Sequence, residues 1–193
     1  PDGSFRQNML YILNGGNDEL VTRNGFVHPL AAYGLLSVDS QLESLNNTWF
    51  FFFAAINRTN YLISNIDGVE MNEIRRKEIK GEALFLRGLY YMYLVKLFGG
   101  VPIYLTPDHD EATQRESLEN VYGQIIADFA EAYNLLPHRA YISARANKWS
   151  AAGMLAKVYT YLASAKKYGT GQNLSQSLNK FDWVNENTMY QQA

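Results

Sequence analysis

The stretch RGLYYMYLVKLFGGVPIYLTP, Arg87 to Pro107, decides the fold. It opens as a helix packed with tyrosines and halts at Gly99-Gly100. It continues as Val101-Pro102-Ile103-Tyr104, an apolar extended segment that holds a proline. Read upstream, the helix starts near Met71. Its first half is charged, and Glu73 precedes Lys77 at the i, i+4 spacing of a supporting ion pair. Its second half carries two apolar stripes. Ala83, Leu86, Tyr90, Tyr93 and Leu97 make the first, and Leu84, Tyr91, Val95 and Phe98 the second, with Gly88 in the gap. Between positions 83 and 98 only Arg87 and Lys96 are charged. Two apolar stripes on one helix call for neighbours on two sides, so this helix is the spine of a helical stack. Gly99-Gly100 supplies the left-handed cap that ends it. Val101-Pro102-Ile103 then leads the chain away in the extended form that proline permits.

Working outward, the upstream segment from about Asn47 to Ile66 has helical periodicity. Trp49, Phe52/Phe53, Ile56, Ile63 and Ile66 share a face, and Asp67-Gly68 breaks it. Downstream, Thr113-Gln-Arg-Glu116 has the spacing of a capping box. Leu118, Tyr122, Ile125, Phe129, Ala132/Tyr133 and Leu136 then mark the face of a third helix that Pro137 ends. A fourth runs from about Lys148 to Ala165. Its expected face is Trp149, Ala152, Ala156, Tyr159 and Leu162/Ala163, and its small residues, Gly153 among them, are read as allowing close approach of a neighbour. Two consecutive helix pairs point to an all-α, solenoid-like core. The strict repeat of about 34 residues of the tetratricopeptide consensus is absent, so the core reads as a divergent relative of that architecture. Residues 17–45 mix Asn-Gly, His-Pro and single aromatics without a period and read as a long irregular loop. A loop of that length is uncommon unless it carries function. The expected organisation is therefore an N-terminal segment and candidate binding loop over 1–46, a helical core over 47–168, and a polar linker with the start of a truncated C-terminal region over 169–193.

Composition narrows the chemistry. The 193 residues carry 17 basic and 19 acidic side chains, a net charge of −2, so nothing calls for nucleic acid or an anionic membrane. With no cysteine there is no disulfide framework, thiolate metal site or cysteine nucleophile. His28, His109 and His138 lie too far apart for paired ligand spacing, so no metal and no cofactor are expected. The aromatic content is high, with 14 Tyr, 10 Phe and 3 Trp. Such flat apolar faces with polar edges suit both cores and sugar rings. The N-terminal PDGSFRQNML has no initiator methionine and no apolar run of signal or membrane-span length.

Four ordered blocks carry a resemblance. EIKGEALFLRGLYYMYLVKLFGGVPIYLTP resembles the helix-to-Val-Pro signature of the SusD/RagB family. VYGQIIADFAEAYNLLP, ARANKWSAAGMLAKVYTYLA and NDELV resemble three further blocks of that family, and together the match runs from about Asn17 to Ala165. Gly88 stands where the family commonly has Ala, and Gly100 where Asp is common. The resemblance implies an all-α, tetratricopeptide-like, SusD-like fold with long irregular loops. It implies a non-enzymatic lipoprotein of the Gram-negative outer membrane, surface-exposed, that binds glycans and sits on a TonB-dependent SusC-like transporter. Members are longer and carry a lipidated N-terminal cysteine, so the chain is expected to be an N-terminal portion whose lipid anchor lies outside it.

The candidate ligand contacts cluster in residues 20–50. Trp49 is expected to open a helix directly after the loop that holds Arg23, His28, Tyr33, Asp39 and Asn46. Sugar recognition needs an aromatic face for the C–H side and polar groups for the hydroxyls. For Trp49 two readings stand, a stacking platform and a core anchor. Tyr90, Tyr91 and Tyr93 read as core packing on the spine helix rather than as a platform. Asp128 and Glu131 share a helix face, but they flank its apolar stripe and are expected to meet solvent or an arginine rather than to form a glycosidase pair. Asp18-Glu19 reads as a loop brace. Arg145 and Lys148 are expected to bridge to the third helix, to Asp128 for instance, rather than to bind phosphate. Three functional classes remain: glycan capture, a helical protein–protein interaction scaffold or peptide-capturing protein, and an α-helical glycan-active enzyme. The resemblance favours the first.

Overall fold

The computed structural model describes residues 42–110 and 112–193. Two compact units divide between Ala54 and Ala55. Among the described residues there is no strand, and the architecture is all-α. The main helices are α1 (Glu43–Asn65), α2 (Glu73–Phe98), α3 (Leu118–Leu135), α4 (Lys148–Lys167) and the short α5 (Glu186–Gln192). α3 packs on α2, α4 on α3 and α5 on α4.

Helix ends follow local chemistry. Asn72 caps α2, its side chain accepting from the backbone N–H of Ile74 (2.9 Å) and Arg75 (3.3 Å). Glu73 pairs with Arg76 rather than with the Lys77 that its spacing suggested. The helix stops at Gly99, whose φ of 70° is open to glycine without strain. α3 starts later than the Thr113 capping box predicts. Its cap is Ser117, which accepts from Asn120 N–H, while the Thr113 hydroxyl donates instead to the Asp110 carbonyl. The cause is the preceding chain: Glu116 N–H donates to Val101 O (3.1 Å), and Arg115 Nη1 donates to the Phe98 and Gly100 carbonyls. Residues 115–116 are thereby held against the end of α2 and cannot enter a helix. Asn147 and Ser150 form a reciprocal capping box on α4. At its other end Gly169 has φ 66°, and Thr170 N–H reaches back to Ala165 O, as in a Schellman motif.

The core confirms the spine role of α2 on one side. Leu84, Tyr91 and Val95 of the second stripe are buried, as are Met92 and Leu94. Against them stand Val121, Ile125, Phe129 and Ala132 of α3. Gly88 lies tight against α3, since a Cβ there would lie 3.2 Å from both Asp128 Cβ and Phe129 Cε1. The first stripe is different: Ala83 is buried, but Leu86 is 39% exposed. On α4 the buried residues are Ala151, Val158, Leu162, Ala163 and Ala165. Of the expected face, Leu162 and Ala163 are buried, whereas Trp149 is 58% exposed. Gly153 is exposed too, with open space around it, and makes no close helix approach. Beyond α4, Phe181 and Val184 are buried, and the Phe181 ring lies 6.3 Å from that of Tyr122.

Candidate functional site

α1 begins at Glu43, four residues ahead of the expected start. Asn46 and Trp49 are therefore both helical, three residues apart and on one face. Asn46 is exposed and Trp49 partly buried. The Trp49 indole lies 4.7 Å from the Phe53 ring at 50°, a tilted aromatic pair. The buried line of this part of the helix is Ser44, Thr48 and Phe52, with the Thr48 hydroxyl donating to Ser44 O at 2.7 Å. Trp49 stands one position off that line and is partly buried. Arg23, His28, Tyr33 and Asp39 lie outside the described residues, as does the Asp18-Glu19 pair. Of the predicted set, Trp49 and Asn46 are the two among the described residues, and they share one helix face.

A buried polar network holds the scaffold. Arg87 of α2 donates from Nε and Nη2 to the two carboxylate oxygens of Asp128 on α3, at 2.9 and 2.7 Å. Its Nη1 donates to Asn60 Oδ1 of α1 at 2.9 Å. Asn60 Nδ2 in turn donates to the Tyr104 carbonyl at 2.9 Å, and the Tyr91 hydroxyl both donates to that carbonyl and accepts from Tyr104 N–H. Gln124 completes the Asp128 shell at 2.8 Å. Burial pushes the Asp128 carboxyl up, against the downward pull of Arg87 and Gln124. So Asp128 meets an arginine, as expected, and is committed to structure rather than to acid catalysis with the exposed Glu131. Val101 to Tyr104 is an extended latch, pinned by Tyr91 and Asn60. Tyr91 is fully buried and Tyr90 and Tyr93 partly so.

Arg145 departs from its expected partner. It pairs with Glu82 of α2 at 2.6 Å, not with Asp128, which Arg87 already saturates. Lys148 does reach α3, its ammonium 4.3 Å from the Tyr133 ring centroid.

Two features escaped the sequence reading. Trp149 and His138 form an exposed ring pair 5.6 Å apart. The signal was present: Trp149 precedes Ala151 by two residues, which places it across the helix from the buried line. The second is an open groove of about 480 Å³ between α1 and α2. Ala55, Leu62, Ile79, Ala83 and Leu86 are among its apolar lining, and Arg58, Arg75, Arg145 and Glu82 its charged lining. No group of three metal-ligating side chains occurs among the described residues. No described helix is long and apolar enough to cross a membrane.

Comparison with known proteins places this scaffold. A family profile described as "Starch-binding associating with outer membrane" matches residues 28–160. A SusD-like protein of Formosa agariphila is 27% identical over 143 residues, 69% of this chain and 27% of that protein. A second from the same organism is 33% identical over 115 residues, 58% of this chain and 23% of its own length. The chain therefore spans about a quarter of the curated relatives it matches. A solved laminarin-binding SusD-like protein superposes with a TM-score of 0.75 at 27% identity, covering 86% of this chain and 37% of that one. The helical fold, the Arg87–Pro107 signature and the profile match agree: the chain belongs to the SusD/RagB family of SusD-like proteins.

Proposed function

We propose that this chain is part of a surface glycan-binding protein. It captures oligosaccharides or polysaccharides and delivers them to a TonB-dependent, SusC-like transporter of the outer membrane, without turning them over. One observation carries the reading: the family profile for starch binding at the outer membrane spans 28–160, most of the helical scaffold. The resemblance of the fold to a laminarin-binding relative supports it. In this reading residues 47–168 are the scaffold and residues 1–46 supply the loop. Trp49 offers the stacking face and Asn46 a hydroxyl partner, joined by Arg23, His28, Tyr33 and Asp39. In this reading a lipid anchor upstream of this chain holds the protein on the cell surface, and no nucleic-acid partner is called for at a net charge of −2.

The commitment of Asp128 to Arg87 favours binding over hydrolysis, since it removes the one described carboxylate pair considered for acid–base work. The test is calorimetric titration of the protein with laminarin and starch oligosaccharides, alongside product analysis of the same mixtures. Saturable binding with no shortened product supports capture. Absence of binding across neutral and charged oligosaccharides, or steady release of shorter sugars, rejects it.

A further inference from the structure

The buried side of α1 is only half apolar. From Ala55 onward its inner face is Ile56, Thr59, Asn60 and Ile63, which fall together at helical spacing. Ile56, Thr59 and Asn60 are buried, and Ile63 packs on the cluster of Leu84, Ala132 and Leu136. A second face runs beside it through Ala55, Arg58 and Leu62. Ala55 and Leu62 share a groove with Ile79, Ala83 and Leu86 of α2, so apolar contact is on offer to that face too. Arg58 does not forbid it, because a long arginine stem lies along apolar surface while its charge stays in water. Upstream, Trp49 to Phe53 are consecutive aromatics, which at about 100° per residue point to every side of the helix. Apolar patterning therefore permits two rotations of α1 against α2.

Hydrogen bonding permits one. Asn60 is fully withdrawn from water. Its Oδ1 accepts from Arg87 Nη1 at 2.9 Å, and its Nδ2 donates to the carbonyls of Tyr104 at 2.9 Å and Thr106 at 3.4 Å. Its buried neighbour Thr59 is satisfied within its own turn, the hydroxyl donating to Ile56 O at 2.7 Å, and keeps that bond in any rotation. Turning α1 by one residue would take Asn60 away from Arg87 and from Tyr104 together. It would leave a buried amide and a buried guanidinium N–H unpaired, which costs more than a misplaced apolar group. We infer that Asn60 is a registry residue: its bonds to Arg87 and Tyr104 select one rotation of α1 from the two that apolar packing allows. A single buried asparagine sets register in coiled coils in the same way, at some cost in stability. The role is independent of glycan capture and holds whatever the protein binds.

The chain has no cysteine, so one introduced thiol reports one position. Thr59→Cys, close in size, marks the inner face, and Ile56→Cys repeats that reading should Thr59→Cys fold poorly. Leu62→Cys marks the neighbouring face. Val158→Cys, at a buried position of α4, marks the stack. Each is placed in the whole chain with Asn60 and with Asn60→Leu, and its reaction with a maleimide is timed beside far-ultraviolet circular dichroism. With Asn60 present, the thiols at 59 and 158 should react slowly and the thiol at 62 faster. With Asn60→Leu, position 59 should react at least about tenfold faster and position 62 about threefold slower, while position 158 stays protected and the helical signal holds. That exchange of protection between two faces of one helix is the mark of a rotation. Faster reaction at 59 and 62 together, or at 158, would make Asn60 a general packing residue and overturn the inference. Unchanged rates at 59 and 62 would show that apolar packing alone fixes the rotation, and would overturn it as well.

Discussion

Arg87 and Asp128 face each other across the α2–α3 contact as a two-pronged, buried ion pair, with N–O distances of 2.9 and 2.7 Å. Both are largely withdrawn from water, at 6% and 1% exposure. The pair explains why the only arginine of the spine's apolar half points inward, while the absent side chain at Gly88 leaves room for Asp128 and Phe129 beside it. A guanidinium left there alone has no water to turn to. Asp128→Ala should therefore destabilise the protein by about 3–5 kcal/mol, read from chemical denaturation. Arg87→Lys should recover only part of the stability, since an ammonium cannot reach both carboxylate oxygens and Asn60 together. A loss under about 1 kcal/mol for Asp128→Ala would mean that the pair is solvated.

Tyr91 joins the spine to the extended latch through its hydroxyl, and its ring is fully buried. Tyr91→Ala should cost about 3–5 kcal/mol, as truncation of a core aromatic does. Tyr91→Phe keeps the ring and should cost about 1–3 kcal/mol, the penalty for taking the Tyr91 hydroxyl away from the Tyr104 N–H, since the Tyr104 carbonyl keeps Asn60. Denaturant midpoints of the two variants separate the ring from the hydroxyl.

Alkaline pH should unfold the protein through two phenols. Burial raises both Tyr91 and Tyr122 above the ordinary value of 10.0. In the unfolded chain these groups release their protons near pH 10, while the folded state still holds them. The unfolded state then binds fewer protons, so stability is fully present below pH 10 and falls as pH rises past it. Urea midpoints measured from pH 8 to 11 should decline at the upper end. Tyr91→Phe should make the decline shallower, and an unchanged slope would exclude Tyr91 as its source.

Much of the fold was legible because the apolar stripes of α2 and α3 repeat over several turns and burial decides their faces. The stack, the Gly99 stop and the Pro137 stop follow from that. What failed did so for local reasons. Thr113 has capping-box spacing, but Arg115 and Glu116 are tied to the end of α2, and a long-range tether outweighs a cap. Trp149 looks like a core residue by type, yet the small Ala151 sets the buried line of α4. The partners of Arg87 are 27 and 41 residues away, beyond any periodic signal. Of the candidate site, Trp49 was legible by chemistry, but its place well inside a helix was not. Ser44 is a polar residue on a buried face, and it disguised the first turn of α1 as loop.

Gly100 tests the turn that follows the spine. Its N–H donates to Asn179 Oδ1 at 2.8 Å, and a Cβ added there would collide with the Glu116 carbonyl oxygen. The family pattern commonly has Asp at this position. In this chain Gly100→Asp should nevertheless destabilise by about 1–3 kcal/mol, the usual cost of overpacking, because the obstructing atom is backbone held by the Glu116–Val101 hydrogen bond. A neutral or stabilising result would show that residues 115–117 can move aside.

Trp49→Ala separates the two roles open to that side chain. If the indole stacks on a sugar, about 60–80 Å² of apolar surface leaves water on binding. At about 25 cal/mol per Å² that is about 1.5–2 kcal/mol, on the order of tenfold in affinity or somewhat more. Because Trp49 is only partly buried beside Phe53, its loss should cost less stability than the ~3–5 kcal/mol of a fully buried tryptophan. The expected variant is thus folded, slightly less stable and about tenfold weaker for the glycan that the unmodified protein binds. Asn46→Ala, at an exposed helical position, should weaken binding with almost no change in melting temperature. Arg23→Ala and Tyr33→Ala extend the test to the preceding segment. A large fall in melting temperature for Trp49→Ala with unchanged affinity in the folded fraction would make Trp49 a packing residue. The glycan contacts would then have to be sought away from the start of α1.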